Sequence, residues 1–146
     1  MFDIAVIGAG PTGLVSALTC AKAGYEVVLP AQLDGLCCGQ PFASKGYPEQ
    51  AEAKRNELLA ALREASRNGQ DPIYCDTSPC TLSLINGEAD GLDIFDPVRF
   101  IRTHLFQRLE FTPQAGAVAV HVTCSTQHLG EGQALIEIAR RCSTNV

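Results

Sequence analysis

The segment from Phe2 to Leu29 constrains the fold more than any other part of this 146-residue chain. Its two ends are short apolar runs typical of buried strands, and the residues between them have the composition of a helix. Three glycines stand between the first strand and the helix, at Gly8, Gly10 and Gly13. Glycines at this spacing form a tight turn at the start of a helix, where backbone amides attract phosphate groups. The segment therefore predicts a strand–helix–strand unit that binds a nucleotide.

Residues 1–29 resemble the N-terminal fingerprint of FAD-dependent monooxygenases and related flavoproteins. This resemblance implies a dinucleotide-binding fold in which the three glycines contact FAD or NAD. The fingerprint usually ends its second strand with an acid that holds the adenine ribose. Here Pro30 and Ala31 occupy that place, and the nearest carboxylate belongs to Asp34. We therefore expect FAD to bind weakly or not at all.

Cysteines form the second informative pattern, since the chain has seven of them. Cys37 and Cys38 are adjacent and precede Gly39, which lets the backbone pass close to a bulky group. Other cysteines follow apolar runs, where strands would end and loops begin. Paired thiolates on a tight loop suit iron or zinc. The candidate metal ligands are Cys37, Cys38, Cys75, Cys80 and Cys124.

Residues from about 24 to 146 resemble the cysteine-rich CCG domain of heterodisulfide reductases and of FAD-linked D-lactate dehydrogenases. The similarity is carried by Cys37-Cys38-Gly39, by Cys75 and Cys80, and by Cys124. The resemblance implies an iron–sulfur cluster held by these cysteines. Cys80 is the less certain ligand, because the paired cysteines of the family lie closer together than Cys75 and Cys80.

An internal repeat is visible in the alignment of residues 4–10 with residues 118–124. Gly10 stands where the second copy has Cys124, so the first copy lacks its leading cysteine. The chain then stops before a second Cys-Cys-Gly. We expect a fragment or a chimera, with a fingerprint in residues 1–29, a CCG-type repeat in residues 30–146 whose second copy is truncated, and any cluster incomplete.

Apolar runs alternate with helical patterns along the whole chain, while residues 77–91 are rich in turn-forming residues and read as a loop. This alternation predicts a single α/β domain over residues 1–146, a three-layer Rossmann-like fold with a mainly parallel sheet of four or five strands. The predicted strands are 3–7, 25–29, 72–75, 92–95 and 117–122, and the predicted helices are 11–23, 48–68, 97–108 and 130–141.

Composition excludes several functions. The net charge of −5 disfavours nucleic acid as a partner. No apolar run approaches the ~20 residues of a transmembrane helix. Seven cysteines without a secretory signal predict reduced thiols and a cytoplasmic location. We interpret Cys20 as a core residue, Cys142 as structural, His121 as a core or sheet-face residue, and His104 and His128 as surface residues.

Two classes of function follow. The first is an iron–sulfur electron-transfer domain of an oxidoreductase similar to the FAD-linked D-lactate or 2-hydroxyacid dehydrogenases. Its partner would be a flavin-containing dehydrogenase domain or an electron acceptor, and no catalytic residue can be nominated. The alternative is a domain that binds FAD or NAD, or an inert engineered scaffold. A third hypothesis is that the cysteines bind zinc, since tetrahedral sulfur sites also bind zinc.

Overall fold

A computed structural model describes residues 3–7, 11–87, 89 and 91–146. The strands are β1 (Asp3–Ile7), β2 (Glu26–Val28), β3 (Ile73–Cys75), β4 (Ile94–Phe95), β5 (Gln114–Ala117) and β6 (Ser143–Asn145). The α-helices are α1 (Pro11–Lys22), α2 (Gln40–Ala43), α3 (Pro48–Ala65), α4 (Ser78–Ile85), α5 (Pro97–Phe100), α6 (Cys124–His128) and α7 (Gly132–Cys142). A 3₁₀ turn spans Leu33–Gly35, and a π-helical turn, Ile101–Leu105, continues α5.

The main sheet has four strands in the order β2-β1-β3-β4, and each pair of neighbours is parallel. Ala5 of β1 pairs with Val28 on one side and with Ile73 on the other. The central position of β1 follows from two crossovers, through α1 and through α3. An α/β chain with a parallel sheet is thereby confirmed, while the three-layer Rossmann arrangement and the single domain stay predictions.

Side chains on both faces of the sheet are buried, because successive residues of a strand point to opposite faces. On one face Ile73 and Cys75 pack with Leu58, Leu62 and other residues of α3 and α4. On the opposite face Tyr74 and Phe95 pack with the residues Cys20, Tyr25, Phe100 and Leu105. The Tyr74 hydroxyl also lies 2.8 Å from Ser16 Oγ, which ties β3 to α1. The core clusters on the two faces therefore hold the strand ends in place, and the loops begin at these ends.

Two elements differ from the sequence expectation. The expected strand at 117–122 is wrong, since most of these residues are exposed and irregular and β5 pairs only with β6 in a separate sheet. The expected loop over 77–91 contains helix α4, in which Pro79 stands in the first turn while Thr81 and Leu84 are buried. Tertiary burial of these two residues outweighs the turn-forming composition.

Within the described part of the chain, every helix is too short or too polar to cross a lipid bilayer.

Candidate functional site

The carboxyl end of β1 is the natural place for a ligand in this sheet. Ligands of open parallel sheets bind beyond the strand ends, and β1 lies between β2 and β3. Helix α1 follows β1 and carries no acidic residue in its first turn, so its amides face an anion without repulsion. Of the predicted glycines, Gly13 is buried within α1, and Gly8 and Gly10 lie outside the described residues.

The end of β2 lacks the ribose-binding acid, as the sequence predicts. Pro30 is buried, Ala31 is exposed, and Gln32 has a left-handed backbone with φ of 56°. Asp34 is exposed in the 3₁₀ turn that follows. The strand end itself therefore offers no carboxylate to a ribose.

A cavity of about 580 Å³ lies between the end of β2 and helix α3. Its walls include Val28 and Leu29 from the strand and a stripe of α3 formed by Glu57, Ala60, Ala61 and Glu64. Sequence analysis missed this stripe. The pattern that could have revealed it is the spacing of Ala60, Ala61 and Glu64 at three, four and seven residues after Glu57. This spacing places the two glutamates on one helix face with the alanines between them. The cavity therefore has carboxylates near the strand end, supplied by another element.

The Cys37-Cys38-Gly39 loop is held between two helices. Cys38 is buried and Cys37 is half-buried. The Ser83 hydroxyl of α4 donates a hydrogen bond to the Cys38 carbonyl over 3.1 Å. Gly39 has φ of 83° and packs so tightly that a Cβ there would overlap the Ala51 carbonyl of α3. Gly39 therefore permits the close backbone approach that the sequence predicts.

The sulfurs of Cys38 and Cys80 are in direct contact. Their Sγ atoms lie 2.9 Å apart and share a hydrogen bond. That bond, acting against burial, lowers the pKa of Cys38 to about 6, and hydrogen bonds from the Gln40 backbone and the Cys37 side chain act in the same direction. The same bond and burial raise the pKa of Cys80. Cys38 is therefore the more acidic of the two thiols.

The other predicted ligands occupy different surroundings. Cys75 is only 1% exposed, its sulfur lies 3.6 Å from the Thr77 carbonyl oxygen, and burial raises its pKa. Cys124 is exposed at the first residue of α6 and lines a separate cavity of about 470 Å³ with His128. Among the residues that the structure describes, no three His, Cys, Asp or Glu side chains form a group that could hold a metal ion.

The sequence interpretations of Cys20 and of the three histidines are confirmed for two residues and wrong for the other two. Cys20 is buried in the core, as expected, and burial raises its pKa to about 11. His128 is exposed, as expected. The interpretation of His121 as a core or sheet residue is wrong, because it is exposed outside any strand. The surface interpretation of His104 is also wrong, since its ring packs between Phe95 and Phe100.

Comparison with known families supports one of the two sequence resemblances. A family model described as FAD binding domain matches residues 3–77, slightly more than half of the chain. The chain belongs to the FAD binding domain family. Membership relates this FAD binding domain to FAD-linked oxidoreductases and supports FAD as its cofactor. No curated protein and no solved structure matched the chain.

The family match also bears on the cysteine-rich resemblance. The comparisons show no CCG domain, and residues 24–77 lie within the FAD binding match. The matched segment runs from β1 to the loop after β3, and β3 pairs directly with β1. The family match therefore extends beyond residue 29, where the resemblance to the fingerprint ends.

The described residues fit FAD at two places. The start of α1 offers backbone amides to a pyrophosphate, and buried Gly13 allows close packing there. The cavity beside β2 offers Glu57 and Glu64 as acceptors for ribose hydroxyls, and Glu57 Oε2 also accepts a hydrogen bond from the Lys54 ammonium over 2.7 Å. Together these places match the two polar parts of the adenosine diphosphate half of FAD.

Proposed function

We propose that this FAD binding domain holds FAD by its adenosine diphosphate half as part of an FAD-linked oxidoreductase. The family match over residues 3–77 carries the proposal. The parallel pairing of β1 with β2 and β3 supports it, because it places the start of α1 at the centre of the sheet edge. FAD would supply the redox chemistry, since its flavin ring accepts electrons from a substrate and passes them on.

The chain's own residues would bind and orient the cofactor. Amides at the start of α1, with Gly8, Gly10 and Gly13, would hold the pyrophosphate. Glu57 and Glu64 would accept hydrogen bonds from the adenine ribose in place of the missing acid at the end of β2. The partner proposed from the sequence, a dehydrogenase domain or an electron acceptor, would complete the reaction.

Titration with FAD tests this function through the quenching of flavin fluorescence. We expect a dissociation constant above about 1 µM, because the strand end lacks its carboxylate. The substitution Gly10→Val should abolish binding. Gly116→Val is the matched control, since Gly116 is exposed in β5 with no atom within 4 Å of an added Cβ. Binding that survives Gly10→Val would overturn the glycine turn as the site.

The same titration tests the adenosine end. The double substitution Glu57→Gln and Glu64→Gln should weaken FAD binding by at least about tenfold, because a hydrogen bond to a charged acceptor contributes roughly 1.5–3 kcal/mol and one to a neutral amide roughly 0.5–1.5 kcal/mol. Glu52→Gln is the control, as Glu52 is an exposed residue of the same helix outside the cavity. NAD titrated in parallel separates FAD binding from general dinucleotide binding. If the parent protein, the double variant and Glu52→Gln bind FAD with equal affinity, the cavity is not part of the FAD site.

Iron–sulfur electron transfer stays a prediction from the sequence and is not part of this proposal. The described residues offer no group of three metal ligands, although Cys38, Cys75 and Cys80 belong to or pack against one core cluster. Iron and sulfide analysis after anaerobic purification tests the prediction directly. An incomplete cluster would give less than full stoichiometry.

A further inference from the structure

The Cys38–Cys80 pair is not part of the proposed FAD site, and the short distance between its two sulfurs indicates a separate function. The two sulfurs come from segments 42 residues apart and lie 2.9 Å from each other. A disulfide bond has a length of about 2.05 Å. Closing the bond therefore requires the sulfurs to approach by about 0.9 Å.

Both sides of the pair are held in place by contacts that do not involve sulfur. On one side the Ser83 hydroxyl binds the Cys38 carbonyl, and Gly39 packs on the Ala51 carbonyl. On the other side Cys80 lies in the first turn of α4, whose residues Thr81 and Leu84 are buried. The backbone thus brings the two sulfurs together in the reduced state, so the pair is preorganised for oxidation.

We propose that Cys38 and Cys80 form a reversible intramolecular disulfide when a hydroperoxide oxidises them. Cys38 is 4% exposed and Cys80 is partly exposed. A bulky disulfide such as oxidised glutathione cannot align with so buried a sulfur, whereas hydrogen peroxide is little larger than water. The burial of Cys38 therefore favours small hydroperoxides as the oxidant class.

The oxidation proceeds in two balanced steps. The Cys38 thiolate attacks one peroxide oxygen, so that an S–O bond forms, the O–O bond breaks, and the leaving hydroxide takes a proton to become water. Cys80 sulfur then attacks Cys38 sulfur, so that the S–S bond forms, the S–O bond breaks, and the second hydroxide leaves with the Cys80 proton as water. Overall, two thiols are oxidised and one peroxide is reduced to two waters. A small dithiol reverses the reaction by thiol–disulfide exchange.

Two nearby sulfurs are the competitors. Cys75 is 1% exposed, and its sulfur contacts the Thr77 carbonyl oxygen over 3.6 Å. Cys37 is adjacent in sequence to Cys38, and its sulfur accepts a hydrogen bond from the Gly39 amide over 3.5 Å. The 2.9 Å contact between the Cys38 and Cys80 sulfurs favours that pairing.

Peptide mapping after peroxide treatment tests the pairing in the full-length protein. The background variant Cys124→Ser/Cys142→Ser removes both exposed cysteines and with them the cross-links between molecules. Trypsin separates peptide 23–45, which holds Cys37 and Cys38, from peptide 68–99, which holds Cys75 and Cys80. We expect these two peptides to be recovered linked through Cys38 and Cys80, and to separate again after dithiothreitol.

Single substitutions assign the sulfurs independently of fragmentation. Cys38→Ser and Cys80→Ser should each abolish the linked peptides, while Cys37→Ser and Cys75→Ser should leave them, with circular dichroism verifying that each variant is folded. The proposal is overturned if the background protein stays reduced in peroxide, or if mapping joins Cys75 or Cys37 instead. It is also overturned if the purified protein carries one iron or zinc that Cys38→Ser releases, because the sulfurs would then be metal ligands.

Discussion

At the scale of single residues, Gly39 shows how tightly the cysteine loop is built. Its φ of 83° lies in the left-handed region, and an added Cβ would overlap the Ala51 carbonyl. Gly39→Ala should therefore lower the free energy of unfolding by more than the roughly 1–2 kcal/mol that left-handed backbone costs a residue with a side chain. Urea denaturation measures this loss.

Gly46→Ala separates the two causes of that loss. Gly46 has nearly the same backbone, with φ of 82°, but no atom within 4 Å of an added Cβ. It should show the backbone cost alone, so Gly39→Ala should be the more destabilising of the two. If both variants lose the same free energy of unfolding, the loop can move away from Ala51 at no cost in free energy.

Residue-scale features were predictable where they depend on neighbours in sequence. Gly39 after two cysteines indicates a close approach, and Cys20 in an apolar helix indicates a core residue, and both are confirmed. The surroundings of His104 were not predictable, because Phe95 and Phe100 meet its ring only through the packing of α5 and its π-helical turn against β4. The Cys38–Cys80 contact likewise depends on where α4 docks.

At the scale of elements, Asp96 joins the starts of two helices. It caps α5, where Oδ1 accepts a hydrogen bond from the Arg99 amide over 2.8 Å. Its Oδ2 also accepts from the Ser78 hydroxyl of α4 over 3.3 Å, and the residue is 1% exposed. This second contact is visible only in the fold.

Asp96→Ala should lower the free energy of unfolding by about 2 kcal/mol or more, the upper range for a lost N-cap, because it also leaves the half-buried Ser78 hydroxyl without its acceptor. Asp96→Asn keeps a side-chain oxygen for the cap and should cost less. Thermal or urea denaturation of the two variants makes the comparison. An alanine variant as stable as the asparagine variant would show that neither hydrogen bond contributes.

Elements with a strong local signal were predictable, and elements decided by burial were not. Helix α3 begins at Pro48 and buries Leu58, Leu59 and Leu62, as its period predicts. Helix α4 was missed because its first residues read as a turn, although Thr81 and Leu84 bury one face. The α3 stripe that lines the cavity was missed because small alanines beside glutamates have the pattern of a solvent-exposed helix face.

At the scale of the whole molecule, the parallel sheet was predictable and its extent was not. A glycine turn between strand and helix predicts a crossover, and β1 indeed pairs in parallel with β2. The expected strand at 117–122 has an apolar pattern, yet its residues lie mostly exposed, with Val118 at 38%. Periodicity alone does not show whether a segment finds a neighbouring strand.

The stability of the whole reduced molecule should depend on pH through its cysteines. The lowered pKa of Cys38, about 6, is a stabilising contribution that is present above the ordinary value of 9.0 and is lost as pH falls toward 6. The pKa values of Cys80, Cys75 and Cys20 are raised, so their contributions are present below 9.0 and are lost as pH rises above it. The cysteines therefore favour the folded state most strongly near pH 9.

Urea denaturation of the reduced protein under argon, between about pH 6 and pH 10, measures this dependence. The cysteine contribution to the free energy of unfolding should rise by at most about 1.4 kcal/mol per pH unit up to pH 9, the slope for one proton, and then fall. Cys38→Ser is the control, because it removes the one lowered pKa and should remove the rise while keeping the fall. If the variant and the parent protein rise equally from pH 6 to pH 9, other groups govern the pH dependence.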